Sequence, residues 1–373
     1  MPDDRDLDHL ARAIELGRNG LGRVSPNPTV GAVIVRDGQV LGEGWHDEFG
    51  GPHAEVNAIA ACTEPDLRGA TIYVSLEPCC HEGRQPPCTD AILAAGIRRV
   101  VVASDDPSEK ASGRGLGILR DEGIEVEVLN GDLSARARRE NQAFRKHART
   151  GRPWVLFKTA MSLDGKVATR DGDSQWISCE ASRELGHLWR SEVDAVVVGI
   201  GTALADDPRL TARIPGVHRQ PRRVVFDSTA RLPLDSQLVR DASDVPLTVV
   251  VSRAASRAAT ESLEMAGAQV IVATGEHEPA RVVSALQQLG DLEIPVTSVL
   301  LEGGPHLAGA FLDAGEIDLA RLFVAPLFLG AHSARDPLEG EGVALLADAL
   351  RAETLTAVSS GEDVLLEARL REW

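Results

Sequence analysis

Aromatic side chains are scarce. They make up 3% of the 373 residues, with a single tyrosine. Cores must therefore be built from Val, Leu, Ile and Ala. Positive charge is also short: 39 Lys and Arg face 56 Asp and Glu, a formal net charge of −17. A chain this acidic repels phosphate backbones at long range, which disfavours bulk nucleic-acid binding. It leaves room for a small anionic substrate in a local basic pocket. Long apolar runs are missing too. A membrane span needs about 20 mostly apolar residues, and the longest uncharged stretches, such as Leu322 to Ala334 and Ala195 to Ala205, are far shorter. The opening MPDDRDLDHLARAIELG is acidic and lacks the basic start and apolar core of a secretion signal. We expect a cytoplasmic protein.

What is present describes a globular enzyme-sized chain. Hydrophobic residues reach 43% and charged residues 25%, an ordinary globular balance. At about 150 residues per domain, the length suggests two domains. There are five cysteines, Cys62, Cys79, Cys80, Cys88 and Cys179. An odd, clustered set in such a chain favours metal ligation over disulfides.

The first stretch alternates helix and strand signals. Leu7 to Gly17 has the spacing of an amphipathic helix. Thr29 to Val35, the turn Arg36-Asp37-Gly38 and Gln39 to Gly44 read as a hairpin. Helices are expected over His53 to Cys62, Thr89 to Ala95 and Gly115 to Glu122, and strands over Ala70 to Leu76, Arg99 to Ala103 and Glu125 to Leu129. This is an α/β layered pattern. Residues 134–153, SARARRENQAFRKHARTGRP, are basic and end in Gly and Pro. They read as a solvated helix running into a linker, with no chemistry assigned. The expected domains are 1–147 and 148–373. In the second, strands are expected at Trp154 to Thr159, Ala195 to Gly199, Arg223 to Phe226, Leu247 to Val251, Gln269 to Ala273, Thr297 to Leu301 and Leu319 to Val324. Helices are expected at Glu180 to Arg190, Ala255 to Ala266, Pro279 to Leu289 and His306 to Ala314, and Asp363 to Leu370 reads as a final edge strand.

GGPHAEVNAIAAC surrounds His53, and SLEPCCHEGRQPPCTDAIL surrounds Cys79. His53, Cys79 and Cys88 offer the imidazole and thiolates that zinc prefers, with a fourth position left for water. Glu55, two residues beyond His53, is placed to take a proton from that water and hand it to a leaving amine. This is the H-x-E and P-C logic of zinc deaminases, although eight residues separate Cys79 from Cys88 where the usual motif has two. A closed structural zinc site with Cys80 or His81 as fourth ligand is the alternative; it has no use for Glu55.

The strings SPNPTVGAVIV (Ser25 to Val35), GEGWHDEFGGPHAE (Gly42 to Glu55) and LEPCCHEGRQPPC (Leu76 to Cys88) closely resemble the deaminase half of the bifunctional riboflavin-biosynthesis deaminase/reductase family. The resemblance implies a cytidine-deaminase-like fold, zinc on His53, Cys79 and Cys88, and proton transfer by Glu55. It also implies that Asn27, His46, His81 and Arg84 hold a diaminopyrimidinone carrying a ribosylamino 5-phosphate. Arg84 suits a phosphate on physical grounds as well. Two positions depart from the family pattern: Cys80 stands where Ser is usual, and Ser108 where Asn is usual.

In the second stretch, FKTAMSLDGKVAT (Phe157 to Thr169) carries Lys158 inside an apolar strand. A buried lysine is rare unless paired, and Asp206 and Glu302 are candidate partners. GDSQWIS (Gly172 to Ser178) is loop-like, and LLEGGPHLAGAF (Leu300 to Phe311) reads as strand, Gly-Gly turn and helix. The Gly303-Gly304 turn and the Gly199-Ile200-Gly201-Thr202 turn are places where backbone N–H groups can approach a phosphate. Leu204 stands where a dinucleotide fingerprint needs its third glycine, so no such fingerprint is read. Arg183, Arg190 and Arg213 form a phosphate pocket or are scattered surface arginines; spacing does not separate the two.

From about Arg152 to Gly330 these strings resemble the reductase half of the same family, which implies a dihydrofolate-reductase-like fold and NADPH. By that resemblance Lys158, Asp206 and Glu302 line the reaction site. Ser174, Trp176, Arg183, Arg190 and Arg213 then contact substrate, and Thr159, Gly201, Thr202, Gly303 and Gly304 contact the cofactor. The expected protein is a homo-oligomeric enzyme on a small phosphorylated pyrimidine, with no nucleic-acid or membrane partner. Rival readings are a nucleoside or tRNA deaminase with an accessory domain, a zinc-stabilised dinucleotide sensor, and a chain with only one active half.

Overall fold

The computed structural model describes residues 4–373. The chain divides into two compact units, one ending at Gly151 and including Trp373, the other running from Arg152 to Glu372.

The first unit contains helices α1 (Asp4–Gly17), α2 (Ala54–Ala60), α3 (Cys88–Ala94), α4 (Arg114–Asp121), α5 (Asp132–Glu140) and α6 (Gln142–Thr150). Its strands are β1 (Gly31–Arg36), β2 (Gln39–Trp45), β3 (Thr71–Val74), β4 (Arg99–Val102) and β5 (Glu125–Val128), in sheet order β2-β1-β3-β4-β5. The hairpin pairs β1 and β2 antiparallel, and β3, β4 and β5 run parallel. Asp37 and Gly38 close the hairpin with φ of 53° and 77°, the left-handed pair that a tight two-residue turn requires. Alternate residues serve opposite faces. Ala32, Ile34, Ile72, Val74, Val100 and Val102 pack in one cluster, and Val33, Val35, Tyr73 and Val101 in another. Both faces of β1, β3 and β4 are covered, so these strands read as nearly unbroken apolar runs.

Gly44 shows how tightly one layer sits on the next. A Cβ there would lie 2.2 Å from the Ala58 nitrogen and 2.7 Å from the Ala54 carbonyl oxygen. Only glycine lets α2 approach β2 this closely. That contact holds α2, with His53 as its N-cap and Glu55 in its first turn, against the sheet.

The second unit contains α7 (Glu180–Glu192), α8 (Ile200–Asp206), α9 (Gln237–Arg240), α10 (Arg257–Met265), α11 (Glu278–Gly290) and α12 (Pro305–Asp313). Its strands are β6 (Trp154–Ser162), β7 (Ala195–Gly199), β8 (Arg222–Phe226), β9 (Leu247–Val251), β10 (Gln269–Val272), β11 (Ser298–Leu301), β12 (Leu319–Ala325), β13 (Thr354–Ser360) and β14 (Asp363–Arg369). They form one sheet in the order β10-β9-β8-β7-β11-β6-β12-β14-β13. The strands from β10 to β12 are parallel, and β14 and β13 add antiparallel. Val155, Phe157, Val197 and Val299 pack on one face, and Leu156, Val196, Val198 and Leu300 on the other.

Three expectations need correction. The final strand β14 is not at the edge: it lies between β12 and β13, and β13 forms the edge. The sequence gives β13 no burial signal because six of its seven residues are exposed; pairing with β14 holds it in place. The turn expected at Gly199 to Thr202 is instead the start of α8, with Gly199 as N-cap. The basic segment 134–153 is two helices, and it is not simply solvated. Gln142, Arg145 and Lys146 are buried, and Arg145 donates to the Asp105 carbonyl at 2.7 Å. No helix among the described residues is long and apolar enough to cross a membrane.

Candidate functional site

In the first unit the chemistry gathers at the C-terminal ends of β3 and β4, where parallel α/β sheets open their crevices. Ligand atoms of His53, Cys79 and Cys88 all lie within 4.8 Å of one another. His53 Nδ1 is 3.2 Å from Cys88 Sγ and 3.5 Å from Cys79 Sγ. A zinc tetrahedron with Zn–S of about 2.3 Å and Zn–N of about 2.0 Å places such atoms roughly 3.5–3.8 Å apart. The trio fits a zinc ion after adjustments of a few tenths of an ångström. Cys88 opens α3, and its N–H points at the Cys79 sulfur at 3.3 Å. The Cys79 thiol is held well below the usual cysteine range, chiefly by hydrogen bonding from the Cys88 thiol and then by His53. Cys88 is correspondingly pushed up. Metal binding by two thiols displaces their protons.

Glu55 is buried, and burial beside the Cys79 charge raises its carboxyl to about 7. A group poised there can both accept and return a proton near neutral pH. His46 is also buried. Its Nδ1 lies 2.9 Å from the Pro52 carbonyl and its Nε2 lies 3.1 Å from the Asn27 amide nitrogen. Donation to Pro52 leaves Nε2 to accept from Asn27, and burial lowers the ring's basicity, so the neutral form fits.

These residues line a cavity of about 590 Å³ together with His81, Arg84, Asp106 and Ser108. The Arg84 guanidinium rests over the Phe49 ring at 4.4 Å, and His81 Nδ1 is buried without a hydrogen-bond partner. Cys80 turns away from the trio toward the Lys110 carbonyl at 3.8 Å, which does not suit it as a fourth ligand. Sequence reasoning missed two contributors. Glu77 accepts from the Gly113 N–H at 2.9 Å and the Asp106 N–H at 3.4 Å, fixing the loop after β4. Phe144, His147 and Ala148 of α6 wall the cavity, in the segment given no chemistry. Their basic surroundings in sequence conceal that face.

In the second unit the register sets Leu301 opposite Phe157 across β11 and β6. Glu302 therefore falls level with Lys158. Burial pulls the Lys158 ammonium below the usual lysine range, with Glu302 opposing and Arg190 reinforcing the shift. Neither expected carboxylate forms an ion pair with Lys158: Asp206 bonds Gln175 and Glu302 bonds Arg190. The bidentate partner of Glu302 is Arg190, at 2.6 and 2.7 Å, because α7 carries that guanidinium directly over the end of β11. Burial works against the Glu302 charge, but Arg190 and Lys158 outweigh it and hold the carboxyl below its usual range. Arg190, expected among the phosphate ligands, is thus engaged within the protein. Asp206 is exposed at the end of α8 and accepts from the Gln175 amide at 3.3 Å.

The other expected contacts are dispersed. Arg183 donates to the Ser178 carbonyl at 2.6 Å and stacks over Trp176 at 5.0 Å. Ser174 is half-buried in the preceding loop, and Arg213 is exposed. A separate cleft of about 340 Å³ is lined by Gly201, Thr202 and Gly304, with Ser228, Arg231, Arg281 and Arg335 among its other walls. Gly304 caps α12. Thr159 and Gly303 lie outside that lining. The cleft's arginines come from segments without motif character, so the sequence did not announce them. Its helix starts at Gly199 and Gly304 and its arginines suit a phosphate-bearing nucleotide cofactor.

Comparison with known proteins matches this geometry. Residues 153–366 match the family model of the RibD C-terminal domain. Residues 4–104 match that of the cytidine and deoxycytidylate deaminase zinc-binding region. The riboflavin biosynthesis protein RibD of Actinobacillus pleuropneumoniae is 41% identical, covering 97% of this chain and 94% of that protein. The RibD of Aquifex aeolicus is 38% identical, covering 97% of each. The structure of Acinetobacter baumannii RibD superposes with a TM-score of 0.86 at 36% identity, over 98% of this chain and 99% of that one. A Thermotoga maritima structure described as a diaminohydroxyphosphoribosylaminopyrimidine deaminase/5-amino-6-(5-phosphoribosylamino)uracil reductase superposes at 0.84 with 35% identity, over 98% and 99%. With both halves matched in order along nearly the whole length, this chain belongs to the RibD family of riboflavin biosynthesis proteins.

Proposed function

We infer that the chain is a bifunctional enzyme of riboflavin biosynthesis. Its first unit hydrolytically deaminates 2,5-diamino-6-(5-phosphoribosylamino)pyrimidin-4-one at a zinc site. Its second unit reduces the ribosyl group of the product to ribityl with NADPH. The observation that carries the reading is the convergence of His53, Cys79 and Cys88 at a cavity that His53, Cys79 and the buried Glu55 line.

When bound, zinc supplies the Lewis acidity that makes water nucleophilic near neutral pH. Glu55 takes a proton from the attacking water and returns it to the departing amine, which leaves as ammonia. Asn27 and His46, locked to each other, orient the pyrimidine. His81 offers it a ring nitrogen, and Arg84 holds the phosphate. In the second unit, bound NADPH supplies the hydride. Lys158, whose proton is loosened by burial, protonates the nitrogen beside C1 of the opened ribose as the hydride arrives at C1. Glu302 balances that charge. Arg231, Arg281 and Arg335 around the nucleotide cleft favour a cofactor with an extra phosphate over one without it. The enzyme works in the cytoplasm as a homo-oligomer.

Mass spectrometry of the products tests this. The diaminopyrimidinone ribosylamino phosphate should exchange an amino group for oxygen without NADPH, and gain two hydrogens only when NADPH is added. No change in either reaction, with zinc confirmed bound, would overturn the substrate assignment.

A further inference from the structure

Arg145 lies on α6 and is 1% exposed. A buried guanidinium is costly unless its donors are met. All three of its nitrogens donate, and none of these acceptors belongs to α6. Nη1 donates to the Asp105 carbonyl at 2.7 Å, Nη2 to the Asp105 carboxylate at 3.3 Å, and Nε to the main-chain oxygen of Trp373 at 2.6 Å. Gln142 stands one turn earlier on the same helix face. Its Oε1 accepts from the Trp373 N–H at 2.8 Å, and its Nε2 donates to the Trp373 oxygen at 3.3 Å. The Lys146 ammonium lies 5.4 Å from the centre of the Trp373 ring. Trp373 is thus folded into the first unit, 228 residues along the chain from Arg145 and 231 from Gln142.

The grip on Asp105 reaches the cavity of the first unit through one peptide group. The peptide joining Asp105 to Asp106 is held at both ends. Arg145 donates to its carbonyl oxygen, and Glu77 Oε2 accepts from its N–H at 3.4 Å. A peptide group is planar, so holding both ends fixes the direction in which the chain enters Asp106. The Asp106 carboxylate in turn accepts from the Ser108 N–H at 2.7 Å. Asp106 and Ser108 line the cavity beside His53, Glu55 and Cys79, whereas Arg145, Asp105 and Trp373 lie outside that lining. Arg145 therefore supports the cavity wall from behind. Because its guanidinium is rigid and planar, anchoring Nε to Trp373 aims Nη1 and Nη2 at Asp105. A staple between α6 and Trp373 needs only Nε and Gln142; the two Nη bonds go to the loop instead.

We propose that Arg145 is a positioning residue for deamination, held in place by the main chain of Trp373, and that the two latch the 105–108 loop so that Asp106 and Ser108 face the bound pyrimidine. Neither latch residue touches the substrate. Their effect is on the orientation of the wall that does, so it falls on substrate binding more than on the proton transfers at Glu55. This assignment rests on the reading that the first unit deaminates a pyrimidine.

The test uses the full chain, zinc-loaded, with Arg145→Ala, Arg145→Lys, a deletion of Trp373, and that deletion combined with Arg145→Ala. Ammonia release from the diaminopyrimidinone ribosylamino phosphate gives KM and kcat for deamination. Reduction of the deaminated substrate is the internal control, and hydrogen exchange over residues 104–113 reports the loop without any substrate. We expect Arg145→Ala to raise KM for deamination about tenfold, equivalent to about 1.4 kcal/mol, and to change kcat less. Loop exchange should quicken, with zinc content and reduction unchanged. Arg145→Lys, which keeps the charge but not the fork, should recover part of the loss. The deletion should raise KM less than Arg145→Ala, and the double variant should be no worse than Arg145→Ala, because the two groups act as one. If Arg145→Ala lowers the melting temperature but leaves KM and loop exchange at wild-type values, or if deamination and reduction fall together, the positioning role is overturned. If Arg145→Ala behaves as expected while the deletion changes neither KM nor exchange, or multiplies the effect of Arg145→Ala, the role of Trp373 is overturned and that of Arg145 stands. If wild type releases no ammonia, the functional reading beneath it fails, and loop exchange alone decides whether the latch exists. Should Arg145→Ala fold poorly, Arg145→Lys and the deletion decide by the same comparison.

Discussion

In the first unit the candidate metal ligands and proton carrier come from two short segments, residues 53–55 and 79–88. In the second, Lys158, Arg190, Arg213 and Glu302 come from a strand, a helix, a loop and a strand end spread over more than a hundred residues. The difference follows from what each chemistry asks of the chain. A metal recruits ligands at bond length, and thiolate and imidazole ligands have little other reason to cluster. Their spacing is therefore visible in the sequence. Hydride transfer leaves the hard chemistry to the cofactor and asks the protein for orientation and balanced charge. Such work is done by ordinary lysines, arginines and glutamates, which occur everywhere on a surface.

Removing a group from the first unit should act as a switch. Glu55→Gln should keep one zinc per chain and lower deamination roughly 100- to 10,000-fold, measured by ammonia release beside metal analysis. Loss of zinc in this variant would break the distinction between ligand and proton carrier. Stripping the metal with a chelator should likewise abolish deamination and spare reduction of the deaminated substrate.

A removal in the second unit should act through charge balance, with a cost that depends on pH. Arg190→Ala leaves Glu302 ionised and enclosed without its bidentate partner, a loss of about 3 kcal/mol in unfolding free energy. The sign follows from the lowered Glu302 pKa. The pairing stabilises wild type above the ordinary carboxyl pKa, and that stability is lost as pH falls through the depressed folded value. The gap between wild type and Arg190→Ala should therefore be full at neutral pH and shrink in acid. Chemical denaturation across that range checks it, and a gap that grows in acid would contradict the assignment.

A smaller effect should separate the units by packing alone. Gly44→Ala forces its Cβ against the backbone of α2 and should cost about 1–3 kcal/mol. Deamination should suffer more than reduction, because α2 carries Glu55. The mildest effect belongs far from both sites. Ser256 caps α10 through the Ala259 N–H at 3.2 Å, so Ser256→Ala should cost about 1 kcal/mol and leave both activities unchanged.

The same contrast governs how much was legible beforehand. The strands are rich in Val and Ile between turn residues, so β1, β4, β7 and β9 appear close to where the alternation of strand and helix signals puts them. The edge strand β13 escaped because backbone pairing, not burial, defines it. Helix α6 was read as solvated from its charges, yet Arg145 is enclosed by its bond to the Asp105 carbonyl, and Phe144 and His147 face a cavity. In the sites, His53, Cys79 and Cys88 converge as their residue types suggested. The ion pair between Arg190 and Glu302 was out of reach, since it depends on how α7 crosses the end of β11 and no local pattern encodes that crossing. Glu77 was missed for the same reason: it matters through partners remote in sequence.

The separation of the two chemistries is tested most directly by one product analysis of the Glu55→Gln chain. The variant is given NADPH with either the diaminopyrimidinone ribosylamino phosphate or its deaminated product, and mass spectrometry reads what forms. Two independent sites predict that the first substrate keeps its amino group while the second gains two hydrogens at the wild-type rate. Loss of reduction of the second substrate, in a variant that still binds zinc and NADPH, would contradict the account.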